Sequence, residues 1–217
     1  MITIKSFVFS DFHENTFVLS EEGGNCIIID PGCNSANERS ELKAYLDING
    51  LKLQEVLFTH CHLDHVFGAG YLVQTYPGVD LKAHQAENPI MEQGDTLALM
   101  FGVHMDKPPT LTSFIGEKDN IKLGKSKVEI IHAPGHSPGS LCFYSKEQRF
   151  ILAGDVLFSG SIGRSDLPGG NMETLLTSIR QKLFYLPEDT TVWSGHGPTT
   201  TIGREKQNNP FLKGFSF

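Results

Sequence analysis

The sequence predicts an α/β sandwich, two mixed β-sheets packed face to face with helices on the outside. Three observations predict it. Each half of the 217-residue chain opens on short strand-like runs and then gives way to helix-like runs. The strand-like runs are short, apolar and bounded by turn residues, as buried strands are. Residues able to hold a metal recur just past the ends of those runs, where the loops of layered α/β folds carry their chemistry.

In chain order, residues 2–9 and 15–20 read as strands, with Asp11-Phe12-His13-Glu14 turning between them. Residues 25–30 are a third strand, cut off by Asp30-Pro31-Gly32. Three strands joined by short turns predict an antiparallel meander. Ser35 to Asn49 reads as a helix with an apolar stripe from Ala36, Leu42, Ala44, Tyr45, Leu46 and Ile48, closed by Gly50. A strand over 53–59 follows, then a helix over 66–76 stopped by Pro77-Gly78, a strand over 79–84 and a helix over 86–101. Residues 102–118, with Pro108-Pro109, read as irregular. Met91 and Met100 before this stretch and Met105 within it read first as helix core, with an adaptable apolar wall as the alternative.

The second half predicts strands at 120–123, 127–132, 140–145 and 149–154, a helix at 172–183, a strand at 190–194 and a last helix at 199–209 before Pro210. No linker, repeat or low-complexity stretch divides the chain, so residues 1–217 are expected to form one domain.

Composition excludes several function classes. A formal charge of −7 leaves no basic stripe for nucleic acid. No apolar run reaches a membrane-spanning length and no signal-peptide pattern opens the chain. The four cysteines, Cys26, Cys33, Cys61 and Cys142, are scattered and form no Cys-x-x-Cys, which fits a reduced, cytoplasmic protein. There is no G-x-S-x-G elbow, Walker loop or Rossmann fingerprint. Oligomeric state is not legible.

The chemistry concentrates in Leu53 to His65. An apolar run, Val56 to Phe58, stops at Thr59, and then His60, His62, Asp64 and His65 follow within six positions. Three imidazoles and a carboxylate at the end of a buried strand must be paired or pay for desolvation. Together they suit zinc, iron or manganese. The same device recurs three times: His136 after Pro134-Gly135, Asp155 after Gly154, and His196 after Gly195. His60 and His62, two apart in extended backbone, point the same way and can share a metal with His136. Asp64 and His65, where the chain turns into the next helix, can share a second with His196. Asp155 has two oxygens and can bridge.

Thr59-His60-Cys61-His62-Leu63-Asp64-His65 resembles the H-x-H-x-D-H signature of the metallo-β-lactamase superfamily, and His136, Asp155 and His196 fall in its remaining ligand segments in the right order. Within it, Ala133 to Ser140 and Gly154 to Phe158 resemble the glyoxalase II branch, the hydroxyacylglutathione hydrolases, in a short form: only 21 residues follow His196, where that branch usually adds a helical domain that contacts glutathione. The resemblance implies an αββα fold, two divalent metal ions (zinc first, iron or manganese as alternatives), and hydrolysis of a small thioester such as S-lactoylglutathione by a metal-bridging hydroxide. It implies Asp64 and Asp155 as catalytic carboxylates and Arg164 as a cation for substrate. Small-molecule thioesters, glutathione conjugates among them, are then the expected partners, with no nucleic acid and no membrane.

Other readings stay open. A mononuclear iron persulfide dioxygenase would use His60, His136 and Asp155, and a lactonase or other ester hydrolase would share the fold. A partner-binding module without catalysis would be free to lose ligands, and none is missing. Arg164 either contacts substrate or pairs with Asp166. His132 and Ser137 are candidates for orienting ligands, and Ser137 either bonds Asp155 or shapes the turn. His13, His84, His104 and His132 read first as structural or surface residues, and Cys61 points away from its neighbours. The Phe-rich end, Phe211 to Phe217, is expected to dock on the core, and Lys213 is a further candidate cation for substrate.

Overall fold

A computed structural model of the protein describes residues 1–213. The first half builds a six-stranded sheet from β1 (Thr3–Phe9), β2 (Glu14–Ser20), β3 (Asn25–Ile29), β4 (Lys52–Leu57), β5 (Asp80–Ala83) and β6 (Ser113–Phe114), in that spatial order. β1, β2 and β3 pair antiparallel, the meander expected, and β3 to β6 continue in parallel. The second half builds another six-stranded sheet from β7 (Asn120–Leu123), β8 (Ser126–His132), β9 (Leu141–Ser145), β10 (Phe150–Gly154), β13 (Thr191–Ser194) and β14 (Thr200–Thr201). β7 to β10 are antiparallel neighbours, and β10 pairs with β13 in parallel. A small ribbon, β11 (Leu157–Phe158) and β12 (Ser161–Ile162), lies between.

Side-chain alternation explains the layers. Phe17, Leu19, Ile27, Ile29 and Leu57 of the first sheet pack against Ile121, Val128, Ile130, Phe143, Phe150 and Leu152 of the second, forming the central core. The intervening residues face outward. Val18, Cys26, Ile28 and Val56 pack under α1 (Ala36–Ile48) and α3 (Ala69–Thr75). Cys142, Tyr144, Ile151, Ala153 and Val192 pack under α6 (Met172–Ser178) and α7 (Ile202–Asn208). The order of layers is helix, sheet, sheet, helix, as the sequence predicts. α1 starts in a capping box, Ser35 with Glu38.

Several elements differ from expectation. The helix expected at 66–76 begins earlier and is split into α2 (Leu63–Val66) and α3. At the break, Gly68 N donates to Pro31 O at 2.7 Å, and a Cβ at Gly68 would collide with Cys33 Sγ, so the chain must pass close to the 31–33 loop. The helix expected at 86–101 is a 3-10 turn followed by α4 (Asn88–Glu92) and α5 (Gly94–Phe101), and that expected at 172–183 finishes in a π turn at 179–183. Met91 is buried in the core, while Met100 is exposed and Met105 only packs against the core edge. At the C-terminus, Leu212 is buried in the core as expected, Phe211 is half exposed, and Lys213 is exposed. The expected docking of Phe215 and Phe217 lies outside the described residues. Among the described residues, no helix is long and apolar enough to cross a membrane.

Candidate metal centre

Strand direction gathers the site. β3 and β4 are parallel neighbours in one sheet, as are β10 and β13 in the other, so Asp30, His60, Asp155 and His196 leave their strands at one edge of the sandwich. β8 runs the same way as β10, since both are antiparallel to β9, and it delivers the loop bearing His136. Backbone bonds clamp these loops together: Leu141 N donates to Thr59 O at 2.8 Å, Gly195 N to Gly154 O at 2.8 Å, and Asn15 N to Gly195 O at 2.7 Å.

Two groups of side chains result. His60, His62 and His136 bring one ring nitrogen each within 4.8 Å of one another, and so do the ligand atoms of Asp64, His65 and His196. In the first group His136 Nε2 is 2.9 Å from His62 Nδ1 and 3.1 Å from His60 Nε2. Tetrahedral ligands at zinc–nitrogen distances of 2.0–2.1 Å would sit about 3.3 Å apart, so the spacing suits a cation. In the second group His196 Nε2 is 3.1 Å from Asp64 Oδ2, which is 3.8 Å from His65 Nε2. Asp155 stands between them. Its Oδ1 is 3.5 Å from His65 Nε2, and its Oδ2 is 3.6 Å from both His136 Nε2 and His196 Nε2. Its two oxygens therefore face both groups. Asp64 and His65 sit within the first turn of α2 itself rather than ahead of a helix.

The protonation pattern is that of metal-binding imidazoles. His136 Nδ1 donates to Arg164 O at 2.7 Å, and His196 Nδ1 to Phe12 O at 3.1 Å. Thr59 Oγ1 gives its hydrogen to Asp30 Oδ2 at 2.6 Å and so receives one from His60 Nδ1 at 3.0 Å. Each Nδ1 proton is committed, which leaves the Nε2 lone pair aimed at the site. Burial, with neighbouring imidazoles, pushes the His60 pKa well below its ordinary value and brings His62 down to about 3. Burial lowers His136 as well. These three rings are neutral, the state a metal requires. His65 goes the other way: against the cost of burial, Asp64, Asp155 and Asp30 raise it. Burial likewise opposes ionisation of Asp155, yet His65, His136 and His196 hold its carboxyl well below the carboxylate range.

With their Nδ1 protons committed, His60 and His136 turn Nε2 lone pairs toward each other at 3.1 Å, and these repel unless a cation lies between them. His65 Nε2 and Asp155 Oδ1 are buried without a hydrogen-bond partner among the described residues. Such orphans are costly and point to an ion. The donor set, imidazole and carboxylate, fits zinc, iron or manganese alike.

Three residues with large roles are not read from the sequence as part of the site. Asp30 is fully buried; its Oδ1 accepts from Thr59 N at 2.7 Å, and its Oδ2 lies 3.1 Å from His65 Nδ1. Asp30, His60 and His65 also lie close enough to share an ion, but both Asp30 oxygens accept from Thr59, so Asp30 stands behind His65 as a charge partner rather than a ligand. Glu87 is buried too. It accepts from Cys61 N at 2.8 Å and from Ser137 Oγ and Gly139 N at 2.7 Å, tying the His60–His62 segment to the His136 loop. Phe12 supplies the carbonyl that orients His196. Only the turn signal at Asp30-Pro31-Gly32 hinted at any of them.

The expected Ser137–Asp155 bond is corrected, and His132 takes its structural reading. Ser137 bonds Glu87 and Ser140, not Asp155, because its hydroxyl faces the buried carboxylate behind the loop. His132 touches no ligand ring: its Nε2 pairs with Pro138 O at 3.1 Å and its ring stacks on His84 at 4.2 Å, so it shapes the loop. Arg164 lines the cavity over the site, and its guanidinium binds Asp166 through Nε and Nη2 at 2.7 and 2.8 Å. Cys61 is buried in the core on the far side. Gly195 explains the glycine ahead of His196: a Cβ there would collide with Asp155 Oδ1 and lie 2.8 Å from His65 Cε1.

The model of the metallo-beta-lactamase superfamily matches residues 10–196. The hydroxyacylglutathione hydrolase GloC of Haemophilus influenzae is 37% identical over 208 residues, covering 93% of each chain. Among solved structures, the BLEG-1 B3 metallo-beta-lactamase superposes with a TM-score of 0.88 at 33% identity, covering 98% of this chain and 100% of that one. TTHA1623 in a di-iron-bound form superposes at 0.85 with 35% identity, covering 96% and 100%.

Proposed function

The chain belongs to the metallo-beta-lactamase superfamily, and from that footing we propose that it is a two-metal hydrolase of small thioesters, with S-lactoylglutathione as the first substrate to assay. The observation that carries the proposal is the pair of ligand groups on either side of Asp155, with His62, Asp64, His136, Asp155 and His196 all facing one cavity. His60, His62 and His136 would hold one ion and Asp64, His65 and His196 the other, with Asp155 shared. Bound there, divalent cations supply polarisation of a carbonyl oxygen and a water acidic enough to ionise near neutral pH.

The chain's own residues do the rest. Asp155 faces both groups and keeps them in register. Asp64 lines the cavity beside His196 and is placed to take a proton from water and return it to the leaving group. In the overall reaction the oxygen of water bonds to the carbonyl carbon and the carbon–sulfur bond breaks with its electron pair on sulfur. One proton of water ends on the thiol and the other leaves with the new acid. Among the described residues lining the cavity there is no lysine, tyrosine or cysteine to protonate a poor leaving group. A thiol, with a pKa near 8.5, departs without such help, which favours thioesters over amides. The likeness to GloC supports the same substrate class.

Metal-loaded protein offered S-lactoylglutathione, a lactone, a β-lactam and a glutathione persulfide is expected to hydrolyse the thioester best. Asp155→Ala removes several kcal/mol of charge stabilisation, a loss of roughly 1,000-fold or more in kcat/KM. Thioester hydrolysis that survives this substitution refutes the reading. Oxygen consumption with the persulfide and one iron per chain would replace it with the dioxygenase reading.

A further inference from the structure

The cavity over the candidate metal centre has a volume of about 280 Å³, and its wall is apolar: Phe12, Leu63, Ile90, Leu97, Phe101 and Leu167. Hydrolysis itself does not require that wall, since the reacting groups lie on the floor. The wall is assembled from distant pieces: Phe12 between β1 and β2, Leu63 from α2, Ile90 from α4, Leu97 and Phe101 from α5, and Leu167 from the loop before α6. At its mouth two large rings remain open to solvent, Phe101 at 60% and Phe12 at 40% exposure. Apolar side chains left uncovered around a concave site gain by covering with an apolar ligand.

Charge points the same way. Among the described residues the cavity lining contains no lysine and a single arginine, Arg164. Its Nε–Nη2 edge is engaged by both carboxylate oxygens of Asp166, at 2.7 and 2.8 Å, in an exposed pair. Glutathione carries two carboxylates, and carboxylates are recognised by free guanidinium, ammonium or clustered N–H donors. Among the described residues the lining holds no ammonium, its one amide side chain is Gln93, and desolvating carboxylates against Leu97 and Phe101 would be unfavourable.

We propose that this wall seats an apolar acyl chain, so that the preferred substrates are thioesters of unbranched alkanoic acids longer than lactate, and that the thiol half, glutathione included, stays outside the wall in water. The proposal rests on the thioester reading above and names its acyl class.

Two series test it on the metal-loaded protein. The first is hydrolysis of N-acetylcysteamine thioesters from acetyl to hexanoyl, with the same acyl groups on glutathione. The expected result is a rise in kcat/KM of roughly fourfold per methylene, with glutathione and N-acetylcysteamine carriers within about threefold of each other. Phe101→Ala, at an exposed position, and Leu97→Ala flatten the rise. The second is calorimetric binding of non-hydrolysable S-alkyl thioethers of N-acetylcysteamine over the same lengths, which reads the wall without turnover and is expected to show the same slope. If no thioester is hydrolysed the hydrolase reading fails, and the thioether series still judges the wall. Binding and turnover that do not respond to chain length overturn the proposal, as does a glutathione carrier favoured more than about tenfold.

Discussion

Nδ1 of His65 lies 3.1 Å from Oδ2 of Asp30, and both side chains are completely buried. A carboxylate behind a histidine fixes which nitrogen faces the metal and makes the ring a better donor. The Asp30 carboxylate is held in turn by Thr59 N and Thr59 Oγ1, at 2.7 and 2.6 Å. Asp30→Asn keeps the shape but presents an amide where two donors and an imidazole converge. Metal affinity is expected to fall roughly 10- to 100-fold. Competition with a chromophoric chelator measures it; wild-type affinity would show that Asp30 does not orient His65.

Glu87 plays the corresponding part for the other group. Three donors, Cys61 N, Ser137 Oγ and Gly139 N, converge on its two oxygens. Burial raises its pKa, and the three bonds oppose that rise. In Glu87→Gln one oxygen becomes an NH₂ that faces a donor, leaving a buried hydrogen bond unmade. The expected cost is about 1–3 kcal/mol of unfolding free energy, seen as a lower urea midpoint at unchanged slope. An unchanged midpoint would mean that the two ligand loops do not depend on this tie.

The cysteines give a pH test. Cys26, Cys33, Cys61 and Cys142 are all buried, and burial pushes Cys26, Cys33 and Cys142 up to about 12 and Cys61 well above its ordinary value. Because the thiolate is the reactive form, a raised pKa keeps the reactive species scarce until pH approaches that value. Native protein at pH 8 is therefore expected to leave a disulfide reagent unconsumed, whereas unfolded protein consumes four equivalents. One fast equivalent from the native protein would place a reactive thiol, Cys61 foremost, at the site.

Much of the fold and of the candidate site is legible because its signals are local. His60, His62, His136, Asp155 and His196 announce themselves by residue type and by position at strand ends, and the unbroken apolar runs of β3 and β10 read directly as buried strands. Asp30 and Glu87 do not announce themselves, because their roles are made by partners 29 and 50 residues away. Alone, the first reads as a turn and the second as a helix residue. The split of the expected 66–76 helix comes from the approach of Gly68 to Pro31 and Cys33, again a long-range contact. Two-residue strands such as β6 and β14 are too short to carry a periodicity. The apolar cavity wall draws on five separate segments, and each residue taken alone resembles ordinary core.

The proposed centre holds one metal ion on each side of Asp155. Elemental analysis of the purified protein, with His196→Ala alongside, tests it most directly. The expected result is about two divalent metal ions per chain, falling to about one in His196→Ala, because His60, His62 and His136 keep their own ion. Wild-type protein that holds one ion or none after reconstitution would contradict it.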